Sequence, residues 1–194
     1  RRWKHGIIAY EIDDVFTGDQ KLLMLEAMRH WENNSCLTFV EHTTEKDFIF
    51  FQKGSCGCCS FVGRKGNGKQ GISIGEDCDS FGIVVHELGH ALGFWHEHTR
   101  PDRNQYVKII TRNIEKGKEN NFAILNYDEV NSLGEKYDFG SIMHYAPNLF
   151  SKRITAHVII PKANISRALL ASIGQRKHLS KGDVKQINKM YRCP

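Results

Sequence analysis

Proline is scarce in this chain, four residues in 194, which excludes collagen-like and proline-rich extended segments. No apolar stretch approaches the ~20 residues that a membrane-spanning helix requires, so no membrane span is expected. No five-residue stretch consists of Lys and Arg alone, and no nucleic-acid partner is expected. Internal repeats and low-complexity linkers are also lacking. The opening Arg1-Arg2-Trp3-Lys4-His5 is not followed by the apolar run of a signal peptide. The chain is therefore expected either to be cytosolic or to begin after processing.

What is present is an ordinary globular composition, 40% apolar and 25% charged. The length is that of one domain, with room for two lobes around a cleft, and suffices for a sizeable core. Lys plus Arg (27) exceeds Asp plus Glu (22) by 5. The basic residues are scattered, a mildly cationic surface with at most a modest attraction to acidic matrix or substrates. The six cysteines, Cys36, Cys56, Cys58, Cys59, Cys78 and Cys193, permit three disulfides in 15 formal pairings. The C-x-C-C cluster matches a zinc ribbon poorly, so a disulfide framework in an oxidising compartment is the leading reading. A cysteine–zinc site and free thiols are the others. Asn33 and Asn164 head two N-x-S sequons, candidate glycosylation sites that fit secretion.

Hydrophobic periodicity predicts a strand at Ile7–Ile12 and a helix over Asp19–Asn33, with Met24, Ala27, Met28 and Trp31 on its core face. Leu37–Val40, Phe48–Phe51 and Gly71–Ile74 read as strands, and Gly54–Gly71 reads as a loop. A second helix spans Ser80–Phe94 and ends at Gly93. The remainder is irregular up to residue 175, with one helix expected around Tyr127–Leu133. Ser180 and Asp183 form a capping box that opens a final helix with Val184, Ile187 and Tyr191 on one side. The fold class is α+β.

The chemistry is concentrated in His86-Glu87-Leu88-Gly89-His90-Ala91-Leu92-Gly93-Phe94-Trp95-His96-Glu97. Residues four apart on a helix are rotated by about 400°, so His86 and His90 share a face and can reach one zinc ion. Gly93 breaks the helix and lets His96 return as a third ligand. Three neutral imidazoles leave the ion its full charge and an open position for water, and Glu87 lies where it can act as base. Downstream, Ser141-Ile142-Met143-His144-Tyr145 matches the methionine turn that the metzincin pattern places beneath such a site.

With Glu97 after the third histidine and the Ser-x-Met-His-Tyr turn, the chain resembles the astacin metalloendopeptidases. It is most similar to their tolloid group, through Cys-Gly-Cys-Cys at 56–59, Gly93 to Arg103, Tyr137-Asp138-Phe139 and Ile173 to Arg176. The resemblance implies a two-lobed metzincin catalytic domain over 1–194, with an N-terminal lobe at about 1–96, a C-terminal lobe at 97–194 and a cleft between. The first lobe would hold a twisted mixed sheet and two long helices, the second mostly irregular chain and a final helix.

It further implies one zinc per chain on His86, His90 and His96, with Glu87 as general base. Tyr145 would bind zinc at rest and stabilise the oxyanion during turnover, and Met143 and Glu97 would support the site. Arg176 would favour an acidic residue after the scissile bond, while Ser80 and Leu170 stand where tolloid-like enzymes carry further cations. The implied disulfides are Cys36–Cys193, Cys56–Cys78 and a vicinal Cys58–Cys59. The function implied is a secreted, extracellular endopeptidase acting on matrix or growth-factor-related proteins. CUB and EGF-like modules would accompany it in the full-length protein. An astacin of digestive or hatching type is the alternative, and a catalytically silent zinc-containing binding module is the reading from another class.

Overall fold

The computed structural model describes residues 1–162 and 165–194 and divides into two compact units. One contains Arg1–Phe94, Arg176–Leu179 and Val184–Pro194; the other contains Trp95–Gln175 and Ser180–Asp183.

In the first unit, β1 (Ile7–Ile12), β2 (Thr38–Glu41), β3 (Phe48–Gln52), β4 (Cys58–Ser60) and β5 (Lys69–Ile74) form one sheet in the order β2-β1-β3-β5-β4. The first four strands in that order are parallel, and β4 runs antiparallel to β5. Parallel strands need crossover connections. Helix α1 (Gly18–Glu32) supplies one, and it opens with a reciprocal Thr17–Gln20 capping box. Its buried face is Met24, Ala27, Met28 and Trp31, and the Trp31 indole donates to the Val85 carbonyl at 3.1 Å. That bond fixes α1 against α2 (Phe81–Leu92). Helix α2 stops at Gly93, whose φ of 120° is costly for any residue with a Cβ. The Trp3 indole donates to the Ala91 carbonyl at 2.9 Å, anchoring the N-terminal stretch to the same helix end.

The expected loop at Gly54–Gly71 is corrected: it contains β4 and the start of β5. A three-residue strand is too short to show a period, and β4 is held by its ladder to β5 and by a disulfide. The bonds are Cys36–Cys193, Cys56–Cys59 and Cys58–Cys78. The expected Cys56–Cys78 and vicinal Cys58–Cys59 pairs are thus overturned. Successive side chains of a strand point to opposite faces, so Cys58 and Cys59 of β4 are turned apart. Cys58 meets Cys78 just beyond β5, and Cys59 folds back to Cys56.

The second unit pairs β6 (Val107–Ile109) with β7 (Ile159–Pro161) antiparallel, and carries short 3-10 turns and helix α3 (Arg167–Ser172). Its core gathers Val107, Phe122, Tyr137, Phe139, Tyr145 and Val158. No helix forms at Tyr127–Leu133, which is a series of turns. The Asn131 side chain accepts from the Leu133 amide at 2.8 Å, and Glu129 accepts from the Asn126 amide at 2.9 Å. Local side-chain bonds of this kind compete with helical ones.

The last helix, α4 (Lys181–Tyr191), starts from its capping box: the Ser180 amide donates to Asp183 and the Asp183 amide to Ser180 Oγ, both at 2.9 Å. Its body, from Val184 on, belongs to the first unit. Asn188 donates to the Asn34 carbonyl at 2.8 Å and Tyr191 to that of Leu92 at 2.9 Å.

Candidate metal centre

His86 and His90 project from one face of α2, with ring centroids 4.7 Å apart and planes nearly perpendicular. Both are buried, as is Glu87 between them in sequence. The Phe94 carbonyl can only accept, so at 2.8 Å it fixes His90 Nδ1 as the protonated nitrogen. Nε2 of His90 is then the lone-pair nitrogen available to a metal, an orientation common among metal-ligating histidines. Burial also pushes His90 down to about 4, with Arg176 adding to the effect, so its imidazole is neutral near pH 7. One ligand atom from each of His86, His90 and His96 lies within 4.8 Å of the others.

Three imidazole nitrogens are a donor set suited to zinc with a position left open. Glu87 agrees with that fit. It is 5% exposed, and its Oε2 is buried with no hydrogen-bond partner among the described residues. Burial raises its pKa to about 7, while the positive charge of Arg176 opposes the rise. A carboxylate oxygen left bare in this way is costly unless a group from outside the chain meets it.

The second unit builds the turn at residues 141–145. Met143 is fully buried, and its carbonyl accepts from the Glu97 amide at 3.1 Å, directly after His96. The Tyr145 ring lies 4.4 Å from that of His96 and 4.1 Å from that of His98. Glu97 is buried and pairs with Arg100 at 3.0 Å while accepting from the Asp138 amide at 2.7 Å. Burial raises its pKa to about 7 against the pull of Arg100.

Two further residues of this turn network escape sequence reasoning. Asp183, read only as a helix cap, also accepts from Ser141 Oγ at 2.6 Å and from the Ile142 amide at 2.8 Å. His144 donates through Nδ1 to the Tyr145 carbonyl and accepts at Nε2 from the Tyr137 hydroxyl, both at 2.7 Å. The capping box was a signal for the first; nothing local signals that its carboxylate reaches 42 residues back.

Arg176 is half-buried in the first unit, and its carbonyl lies against the first turn of α2. A Cβ on Gly82 would come within 1.8 Å of that oxygen, so only glycine admits this approach. Arg176 thereby sits close enough for its charge to act on both Glu87 and His90. Of the two sequons, Asn33 is exposed at the end of α1, and Asn164 lies outside the described residues.

The profile of the astacin peptidase family matches residues 1–192. The chain is 55% identical to the bone morphogenetic protein 1 homolog of Strongylocentrotus purpuratus over 198 residues, covering 100% of this chain and 31% of that protein. Human tolloid-like protein 1 is also 55% identical, over 194 residues, covering 100% of this chain and 19% of that protein. The chain thus spans less than a third of the length of these relatives. Among solved structures, high choriolytic enzyme 1, a hatching enzyme zinc-protease from Oryzias latipes, superposes with a TM-score of 0.89 at 37% identity. That superposition covers 100% of this chain and 94% of the other. With the long histidine motif, the methionine turn and these matches in agreement over its whole length, the chain belongs to the astacin family of peptidases.

Proposed function

We propose that this protein is a secreted, zinc-dependent endopeptidase that cleaves internal peptide bonds of extracellular proteins. The observation that carries the reading is the convergence of three histidine nitrogens beside a buried glutamate oxygen with no hydrogen-bond partner among the described residues. Three disulfides support an oxidising, extracellular setting. His86, His90 and His96 would hold the zinc. When bound, the ion supplies a Lewis acid that acidifies water and polarises the scissile carbonyl.

The chain's own residues do the rest. An extended substrate would add to β4, an edge strand of the sheet. Glu87 takes a proton from the attacking water and returns it to the leaving amine, both within a site where burial brings its pKa close to neutral. Tyr145 donates a hydrogen bond from its phenolic hydroxyl to the developing oxyanion. Met143 and Glu97 hold the backbone that follows His96. We further propose CUB and EGF-like modules beyond the matched region, in keeping with the greater length of the relatives.

Cleavage of a generic quenched-fluorescence peptide tests the reading: a zinc chelator should abolish it and added zinc restore it. Cleavage that persists in the chelator would remove the metal mechanism. Absence of cleavage by the zinc-loaded protein would favour a silent binding module.

Tyr145→Phe keeps the ring that packs on His98 and removes only the hydroxyl. Loss of one oxyanion donor costs about 2.7–4 kcal/mol, so kcat should fall by roughly 10²–10³ with KM little changed. A raised KM at constant kcat would make Tyr145 a substrate-binding residue instead.

Arg176 would favour an acidic residue just after the scissile bond, because a guanidinium binds a carboxylate through two parallel hydrogen bonds. Because the Arg176 charge also acts on Glu87 and His90, Arg176→Ala should change turnover of every peptide somewhat, and should lower kcat/KM for an Asp-containing peptide by about 1.5–3 kcal/mol more than for its Ala counterpart. Equal losses on both peptides would leave Arg176 no part in specificity. Ser80 and Leu170, where the tolloid resemblance implies further cations, are uncharged, so the preference should tolerate other residues; this feature favours the broader, hatching-type specificity as the second reading.

A further inference from the structure

Four of the 27 Lys and Arg residues, from the two ends of the sequence, gather in space. Arg1, Arg2, Lys4 and His5, from the N-terminal stretch, line one hollow of about 720 Å³ together with Arg192 from beyond α4. No carboxylate lines it among the described residues. Among those residues, none of these five side chains enters an ion pair. All five are exposed. Like charges gathered without counter-ions repel one another; Arg1 and Arg2 also donate to the Lys65 and Met190 carbonyls, which accounts for two of the four Lys and Arg charges.

The hollow is also held rigidly, all of it within the first unit. The Cys36–Cys193 bond closes one wall. Arg2 donates to the Met190 carbonyl at 2.7 Å, and the Trp3 amide donates to the Tyr191 hydroxyl at 3.4 Å. His5 and Arg192 both adopt a left-handed backbone, φ 56° each, which is uncommon outside glycine and gathers at ligand sites. The backbone that carries these residues, and the Arg2 guanidinium, are therefore placed before any ligand arrives.

The chemistry of the ligand follows from what surrounds these charges. A single inorganic anion would leave most of the four Lys and Arg cations unneutralised, so a polyanion with several spaced charges fits better. Nucleic acid is disfavoured, because Trp3 is 3% exposed and Tyr191 donates its hydroxyl to Leu92, leaving only the small His5 ring exposed in the hollow for a base to stack on. A concave wall is a poor match for a flat lipid surface. Guanidinium groups pair with sulfate oxygens through paired, charge-assisted hydrogen bonds, and sulfated chains share the extracellular space with disulfide-bonded proteins. We infer that this hollow is a binding site for a sulfated glycosaminoglycan, held by Arg2, Lys4 and Arg192. The inference draws on the extracellular setting proposed above but on none of the metal-site chemistry, and binding can be read separately from cleavage.

The test uses a heparin-derived decasaccharide titrated calorimetrically into the protein at fixed salt. The triple variant Arg2→Ser/Lys4→Ser/Arg192→Ser is compared with Arg112→Ser/Lys116→Ser/Arg153→Ser, which removes the same charge from exposed positions of the second unit. The first should weaken binding at least about tenfold and the second less than about threefold, a gap too large for the shared loss of net charge. Lys4→Ser alone should weaken it several-fold, a guard against folding defects because the Lys4 side chain is exposed. Peptide cleavage should be unchanged in all three. Equal losses in the two triple variants would show only diffuse attraction and overturn the site. So would the absence of binding by the wild-type chain, or equal binding of an unsulfated hyaluronan fragment or of anionic phospholipid vesicles.

Discussion

Glu87→Ala is expected to retain about one zinc per chain and to lose turnover by at least ~10²–10⁴-fold, the worth of general acid–base catalysis. The upper end is the more fitting scale, since one carboxylate serves both proton transfers of the reaction. Metal should remain because the three nitrogens that converge belong to His86, His90 and His96, and Glu87 contributes no atom to that group.

The fold should survive as well, and pH shows why. Burial raises the folded pKa of Glu87 from 4.5 to about 7. A carboxyl raised in this way favours the folded state fully below its unfolded pKa, and that contribution is lost as pH rises through the folded value. At pH 8 the carboxylate therefore disfavours the metal-free fold. Metal-stripped Glu87→Ala should melt no lower than the metal-stripped wild type at pH 8, and lose any such advantage near pH 4. Atomic absorption, peptide kinetics and thermal melting check the three parts. A variant that lost its zinc, or kept most of its activity, would sink the role assigned to Glu87.

The second large effect is on stability. Cys36→Ser/Cys193→Ser removes a cross-link spanning 157 residues. For so long a loop the chain-entropy estimate is about 5 kcal/mol, a large share of the roughly 5–15 kcal/mol that stabilises a domain. Helix α4 keeps other anchors, since Asn188 still bonds to Asn34 and Tyr191 to Leu92. The folded state should therefore stay intact in the double variant, with the loss arising in the unfolded ensemble. Denaturant titration under non-reducing conditions should show a midpoint shifted by most of that amount with a similar or larger slope. A loss below about 1 kcal/mol would mean that the unfolded chain remains compact without the bond.

Much of the first unit was legible from residue order because its signals are local. The stripe Met24, Ala27, Met28 and Trp31 repeats with the helical period and is buried as such in α1. Gly93 ends α2 where a left-handed residue is needed, and Ser180 with Asp183 opens α4. The placement of His86 and His90 on one face is likewise a consequence of helical geometry four residues apart. The turn region at Tyr127–Leu133 misled because its apolar residues suggest a helix while Asn131 and Glu129 bond the backbone into turns.

By itself, then, the order of residues determined where α1, α2 and α4 begin and end, which faces they bury and which side chains share the metal-binding face of α2. Each of these depends on neighbours within one or two turns, where backbone geometry leaves little choice. Only the tertiary structure decided that Cys58 meets Cys78 and Cys59 meets Cys56, because strand β4 turns adjacent side chains to opposite faces. It also decided that Asp183 caps a helix and pins Ser141 and Ile142 with the same carboxylate, and that Arg192 comes to lie beside Arg2 and Lys4. The bonds from Asp183 to Ser141 and Ile142 and the meeting of Arg192 with Arg2 join positions 41 to 190 residues apart, and no period in a chain records a meeting that packing alone brings about.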